Sequence, residues 1–177
     1  MPEQTRWVSG QLLAQLDFVS AQVQQLEQRL DGLIDVTAEM QWLISMPGVG
    51  VILAATMALE IGEVQRFPSA MQLASYAGTT PRVKASGGKV RYGGLRVDVN
   101  RYLKWAFAEA ANSVAVHHTR CPDRHVSQIY RRRRLRKGHG KAIVAVARHL
   151  AEAAFHVLQG KQLYRDPVLG PGRTSEV

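Results

Sequence analysis

An apolar seam with a period of 3.5 residues runs through the start of this chain. Leu12, Leu16, Val19, Val23, Leu26, Leu30 and Leu33 are spaced alternately four and three apart. The frame continues through Thr37 and Met40 to Ile44 with no proline in it. Such a period predicts a long helix that supercoils with a partner. Much of the remaining surface is glutamine (Gln11, Gln15, Gln22, Gln24, Gln25, Gln28), a fair helix former without charge. The helix alone would leave its stripe in water, so it needs a partner helix, from a second chain or from elsewhere in this one. An amphipathic helix packed on its own domain is the plainer reading. The coiled-coil reading assigns residues 1–45 to this helix and expects a homo-oligomer formed through it.

Charge is the second constraint. The chain of 177 residues has a net charge of +9. Residues 81–150 carry 17 basic against 3 acidic side chains, whereas residues 1–45 carry 2 against 6. A basic field gathered into one block points to a polyanion, most simply DNA or another nucleic acid. A solvated basic surface is the alternative. The single cysteine, Cys121, rules out an internal disulfide framework and fits a reducing compartment. No basic region followed by an apolar run opens the chain, so no secretory signal is expected. Trp42 to Leu59 is free of charge for 18 residues, but Pro47, Gly48 and Gly50 interrupt it. A turn is expected there, with no membrane partner. The location expected is the cytoplasm, in association with the nucleoid.

The expected fold is mainly α. A long coiled-coil helix precedes a compact helical domain at 46–160 and a flexible tail at 161–177. The segment from Leu43 to Gly62 reads as helix, MPGVG turn, helix: a helix-hairpin-helix pattern. Gly48 and Gly50 would allow positive φ and close backbone approach around Val49, and the next helix would offer free N–H groups to a phosphate. An ordinary tight turn between core helices is the alternative. Ser69 is expected to cap a short helix. After Gly78 a Gly-rich basic loop or short extended segment is expected, with Arg82, Lys84, Lys89 and Arg91 around Ser86. Asn100 is expected to cap a helix beginning at Arg101, itself an expected nucleic-acid contact. Pro122 is expected to start a helix that runs into Arg131, Arg132, Arg133, Arg134, Arg136 and Lys137, with Gly138 and Gly140 breaking it. Those cations would grip a nucleic-acid backbone in a salt-dependent way. A final helix is expected from about Lys141 to Leu158.

Chemistry is sparse. Ser86 among cations could attack a phosphodiester whose charge the cations neutralise, though a serine in a Gly-rich loop serves equally as a turn residue. His117, His118, Cys121 and His125 have a spacing that could be drawn as a zinc site. One cysteine and two adjacent histidines make a poor one, so no metal ligand is expected. Most acids lie on the first helix, and the basic block holds only Asp98, Glu109 and Asp123. No two-metal site can be drawn from them, and no cofactor is expected in this chain.

The run MPGVGVILAATMALEIGEVQRFPSAMQLASYAGTTPRVKASGGKVRYG, then NRYLKWAFAEAA, then KAIVAVARHLAEAAFHVL, covers about residues 43–158. In this order it resembles the C-terminal, serine-bearing domain of the DEDD-type insertion-sequence transposases, the IS-one-ten class of bridge-RNA-guided recombinases. The heptads before it resemble that family's coiled coil. The resemblance implies a two-part machine for DNA strand cleavage and exchange: a RuvC-like domain with four metal-binding acids, and this domain with a serine nucleophile. By its place in the SG motif the serine would be Ser86, and the Arg and Lys residues near it would hold phosphate or a guide RNA. No RuvC-like domain lies within the 177 residues. The chain is therefore expected to be a truncated or split transposase, inactive alone, with a separate RuvC-like domain as partner and Mg2+ bound only there. The family usually has Gly-Asn before the NRYL-like helix, where this chain has Val99–Asn100. The alternative function is a non-catalytic, dimeric DNA- or RNA-binding module.

Overall fold

A glycine and a threonine decide where the first helix stops. A computed structural model of the chain describes residues 2–86, 89–95 and 97–167. Helix α1 spans Glu3–Asp31, and α2 spans Ala38–Ile44. The seam therefore does not run on as one helix to Ile44. Gly32, a poor helix former, caps α1. Thr37 then starts a new helix, its Oγ1 accepting the Met40 N–H at 3.3 Å. Met40, which continues the heptad frame in sequence, is buried with Leu43 in the core of the second unit.

The chain divides into two compact units, Met1–Asp35 and Val36–Val177. The first unit is α1 and the turn after it. Its seam is uncovered: Leu12, Leu16, Val19, Val23, Leu26 and Leu30 are 39–60% exposed.

The second unit holds the remaining elements. Helix α3 is Val51–Ile61, a 3-10 turn covers Val64–Arg66, and α4 is Ala70–Tyr76. Strands β1 (Pro81–Ser86) and β2 (Lys89–Leu95) form an antiparallel ribbon. Helices α5 (Arg101–His117), α6 (His125–Lys137) and α7 (His139–Gly160) complete it. The fold is mainly α, with one two-stranded sheet among the described residues. Among those residues no helix is long and apolar enough to cross a membrane.

Helix α7 is the hub, packing against α6, α5, α4 and α2. Its buried face is Ala142, Val146, Ala147, Leu150, Ala151 and Ala154, and that of α5 is Leu103, Ala106, Phe107, Ala110 and Ala111. Alanines on both faces let the two backbones approach closely. Phe107, Leu103 and Leu150 fill the space that remains, each buried apolar side chain contributing roughly 1.5–3 kcal/mol. Asn100 caps α5 as its sequence position suggests, accepting the Leu103 N–H at 2.9 Å. Ser69 precedes α4 but makes no side-chain capping bond. Gly138 ends α6 with φ +80°, while Gly140 lies inside α7 and breaks nothing.

The start of the expected tail is tied down. The Tyr164 N–H donates to Ser45 Oγ at 2.8 Å, and the Tyr164 hydroxyl donates to Asp166. Burial, with the Asp166 bond adding, pushes the Tyr164 phenol well above its usual range. The rest of the expected tail, 168–177, lies outside the described residues.

Gly48 and Gly50 differ in role. Gly48 has φ +79°, and a Cβ there would come within 2.3 Å of the Ala110 carbonyl oxygen on α5. Gly50 has φ −98° and open space around its Cα, so the positive φ expected of both glycines occurs only at the first. Gly48→Ala is expected to cost about 2 kcal/mol or more through backbone strain and overpacking. Gly50→Ala should stay within about 0.5 kcal/mol of the parent. Urea unfolding midpoints of the two variants measure the contrast.

Candidate nucleic-acid interface

The expected nucleic-acid contacts fall on three separate elements. The first is the ribbon. Its register pairs Lys84 with Arg91 and Ser86 with Lys89. Alternate residues of a strand share a face, and directly paired residues share it too. Lys84, Ser86, Lys89 and Arg91 therefore belong to one face of the ribbon, at its far end from Pro81 and Leu95. The side chains of these four, with Gly87, Gly88 and Arg96, lie outside the described residues. Arg82 sits at an irregularity of register between Pro81 and Val83 and is exposed.

Asn100, the N-cap of α5 that follows the ribbon in sequence, is tied by polar contacts to α3 and α4. The Asn100 Nδ2 donates to Glu60 Oε2 at 2.6 Å and to the Tyr76 hydroxyl at 3.3 Å. Its backbone N–H donates to the Tyr76 carbonyl at 3.0 Å. Arg66 lies over the rings of Phe67 and Tyr76, 4.6 and 5.0 Å from their centroids, and its Nη2 donates to the Glu60 carbonyl. The Asn100 bond, then that of Arg66, holds the Tyr76 phenol below its ordinary value. Val99, where the resemblance would place glycine, packs on Gly78. A Cβ on Gly78, whose φ is +68°, would meet Val99 Cγ2 at 2.6 Å.

The second element is α6. Val126, Ser127 and Tyr130 fix its first half to the core, and the Tyr130 hydroxyl hydrogen bonds with His139 Nδ1 at 2.8 Å. Every residue from Arg131 to Lys137 is exposed, Leu135 included at 88%. At 100° per residue Arg131, Arg132, Arg133, Arg134, Arg136 and Lys137 surround the helix, as the sequence suggests. Arg132 donates to Gln128 Oε1, and Arg134 lies 5.9 Å from the Tyr130 ring centroid. No ion pair to a carboxylate joins any of the six among the described residues.

The third element is the MPGVG turn. Pro47 and Val49 are buried, Val49 at 7% exposure, so Val49 can offer a ligand only its backbone. Gly50 is open, and no side chain caps α3 behind it. Arg101, the first residue of α5, is exposed as well.

Sequence reasoning passed over Tyr102 and Trp105, which are 66% and 46% exposed beside Arg101. Their three-residue spacing puts them on one face of α5, opposite Leu103, Phe107 and Ala110. Exposed aromatic rings among cations suit the stacking of unpaired bases. The signal was present in NRYLKWAF: once Leu103 and Phe107 are assigned inward, the two large rings are left outside.

Of the four residues with zinc-like spacing, the two adjacent histidines bond to backbone carbonyls. His117 Nδ1 bonds with the Ser113 carbonyl and His118 Nδ1 with that of Ala115. The His125 ring lies 4.8 Å from that of His149. Burial, reinforced by His125, pushes the His149 imidazole below its usual value. Among the described residues no three His, Cys, Asp or Glu side chains converge closely enough to hold a metal ion.

Proteins of similar sequence are products of bacterial insertion elements. The IS110 insertion-element protein of 43.6 kDa from Streptomyces coelicolor is 32% identical over 154 residues, 86% of this chain and 37% of that protein. The IS117 mini-circle protein of the same organism is 34% identical over 162 residues, 85% of this chain and 36% of that protein. The transposase for insertion sequence element IS1111A of Coxiella burnetii is 26% identical over 146 residues, 78% of this chain and 38% of that protein. Residues 40–131 match the Transposase IS116/IS110/IS902 family, and the chain belongs to that family. It spans little more than a third of the length of these relatives.

The side chains of Arg131, Arg133 and Arg136 have no hydrogen-bond or ion-pair partner among the described residues, which leaves them available to an anion. Replacing all three by glutamine is expected to lower the slope of log K against log salt for duplex DNA by about 2–3. Thermal stability should not change, because the three are exposed. Filter binding across a salt series measures the slope.

Proposed function

We propose that this chain is the serine-bearing part of an insertion-sequence transposase that binds DNA and supplies Ser86 as nucleophile for strand cleavage and exchange. The observation that carries the reading is the ribbon register, which gathers Ser86 with Lys84, Lys89 and Arg91 on one face in a member of a transposase family. A serine hydroxyl needs a neutralised phosphodiester as its target, and cations beside it provide that neutralisation.

The chemistry balances without a cofactor in this chain. The Ser86 hydroxyl gives up its proton, and Oγ forms a bond to phosphorus. One phosphorus–oxygen ester bond to deoxyribose breaks, and the departing sugar oxygen takes a proton. The number of phosphoester bonds is unchanged, so attack by another strand's hydroxyl on the serine ester restores continuous DNA and frees Ser86. Acids that hold Mg2+ belong in this reading to a RuvC-like domain outside the 177 residues. No step is assigned here to a metal, because the described residues offer no donor set for one.

The exposed leucine and valine stripe of α1 supports pairing with a second copy of this chain as a coiled coil. Tyr102 and Trp105 suit unpaired bases, of displaced DNA or of a guide RNA. A bacterial cytoplasmic, nucleoid-associated location follows from this role.

The test is Ser86→Ala in a recombination reaction reconstituted with the acidic domain supplied. Covalent protein–DNA product should be lost while DNA binding and the melting temperature stay within error of the parent. Undiminished covalent product from the alanine variant would assign the nucleophile elsewhere and leave this chain a binding module.

A further inference from the structure

A cleft of about 220 Å³ lies between the Gly48 turn, the C-terminal end of α5 and the first turn of α6. It is at the opposite end of α5 from the ribbon, about 25 Å away along a helix of 17 residues. It therefore does not belong to the Ser86 region. Arg120, Arg124 and His117 line it, and so does Ser127.

Three features of this cleft point the same way. The first is the α6 N-terminus. Arg124 occupies the N-cap and makes no side-chain capping bond. The first internal bond runs from Gln128 N–H to the Arg124 carbonyl, so the His125, Val126 and Ser127 N–H groups have no partner among the described residues. A helix of 13 residues brings its positive dipole end to that point. The second is Ser127. It is only 2% exposed, it lines the cleft, and its hydroxyl makes no hydrogen bond among the described residues. A hydroxyl on the wall of a cleft that has no protein partner is suited to a ligand. The third is charge. Arg120 and Arg124 are exposed at the cleft, and their side chains make no hydrogen bond or ion pair among the described residues. His117 Nδ1 is engaged by the Ser113 carbonyl, which leaves Nε2 as the ring's remaining polar atom.

We infer that this cleft is a phosphoryl-binding site, in which the Val126 and Ser127 N–H groups and the Ser127 hydroxyl donate to the oxygens of a phosphate that Arg120 and Arg124 neutralise. Free helix N–H groups, a hydroxyl and two guanidinium groups form a donor-rich set suited to a tetrahedral anion. The phosphoryl group is that of a nucleic-acid backbone or a free phosphate. The first source rests on the nucleic-acid reading above; the second does not.

The test is a titration of the full-length, 15N-labelled chain followed by amide resonances, with ionic strength held constant by chloride. Inorganic phosphate should shift the Val126 and Ser127 amides along a saturating curve. Arg120→Gln combined with Arg124→Gln, both at exposed positions, should weaken that binding at least tenfold while the other amide resonances stay in place. Ser127→Ala should weaken it too. Amides at 126 and 127 that do not move with phosphate, or that move equally in the double variant, would overturn the site. A second titration uses duplex DNA of unrelated sequence. DNA that moves the same amides upholds the backbone as the source. Phosphate that moves them while DNA does not upholds the site and overturns only its part in nucleic-acid binding.

Discussion

The close contact of α5 with α7 is the constraint on which the second unit depends. Ala106, Ala110 and Ala111 of α5 and Ala147, Ala151 and Ala154 of α7 are all buried in a core in which Phe107 and Leu150 are bulky members. Two helices packed through alanine leave little room for adjustment, so the elements around them are fixed by what they touch. Gly48 shows this on the α5 side: its α-carbon lies so near the Ala110 carbonyl that no side chain fits. The MPGVG turn thereby takes its position from the core, and Gly50, the exposed glycine, is the one left open to solvent.

That core also determines where the charge goes. Seventeen basic side chains fall between residues 81 and 150, in the part of the chain that contains α5, α6 and most of α7. With the inner faces occupied by alanine, leucine and phenylalanine, the cations collect on the ribbon, on the outer half of α6 and at the α5–α6 connection. Self-repulsion of this kind opposes compactness. It is tolerated in α6 because the first half of that helix is anchored in the core by Val126, Ser127 and Tyr130. A separate acid-rich helix, α1, carries the opposite sign. The result is a domain whose stability lies in alanine packing and whose cations remain available for a polyanion.

Periodicity made some of this legible and obscured the rest. The heptad seam located α1, and Asn100 located the start of α5. The same seam overran Gly32 and Thr37, because a frame of leucine and methionine positions continues in sequence after the helix has ended. Met40 keeps the heptad phase but packs on α3 and α7 instead. The glycines after Gly78 leave a loop and a short extended segment equally open in sequence, although Arg82-Val83-Lys84-Ala85-Ser86 alternates with the period of two that a strand requires. Pairing register, which joins Ser86 to Lys89 and Lys84 to Arg91, depends on the turn as well as on the two strands. The cleft at Ser127 was not legible at all. Its residues come from three segments, and a serine in the first turn of a helix looks like any other until its burial and its missing partner are known.

The central claim is that the cationic faces of the second unit form the surface that holds nucleic acid. Hydrogen exchange of the whole chain, with and without a DNA duplex, tests this most directly. The account predicts slower exchange in the ribbon and over residues 120–137 when DNA is bound, with the α5–α7 core unchanged. Protection confined to α1, or no change in the ribbon and α6 at a DNA concentration that saturates binding, would contradict it.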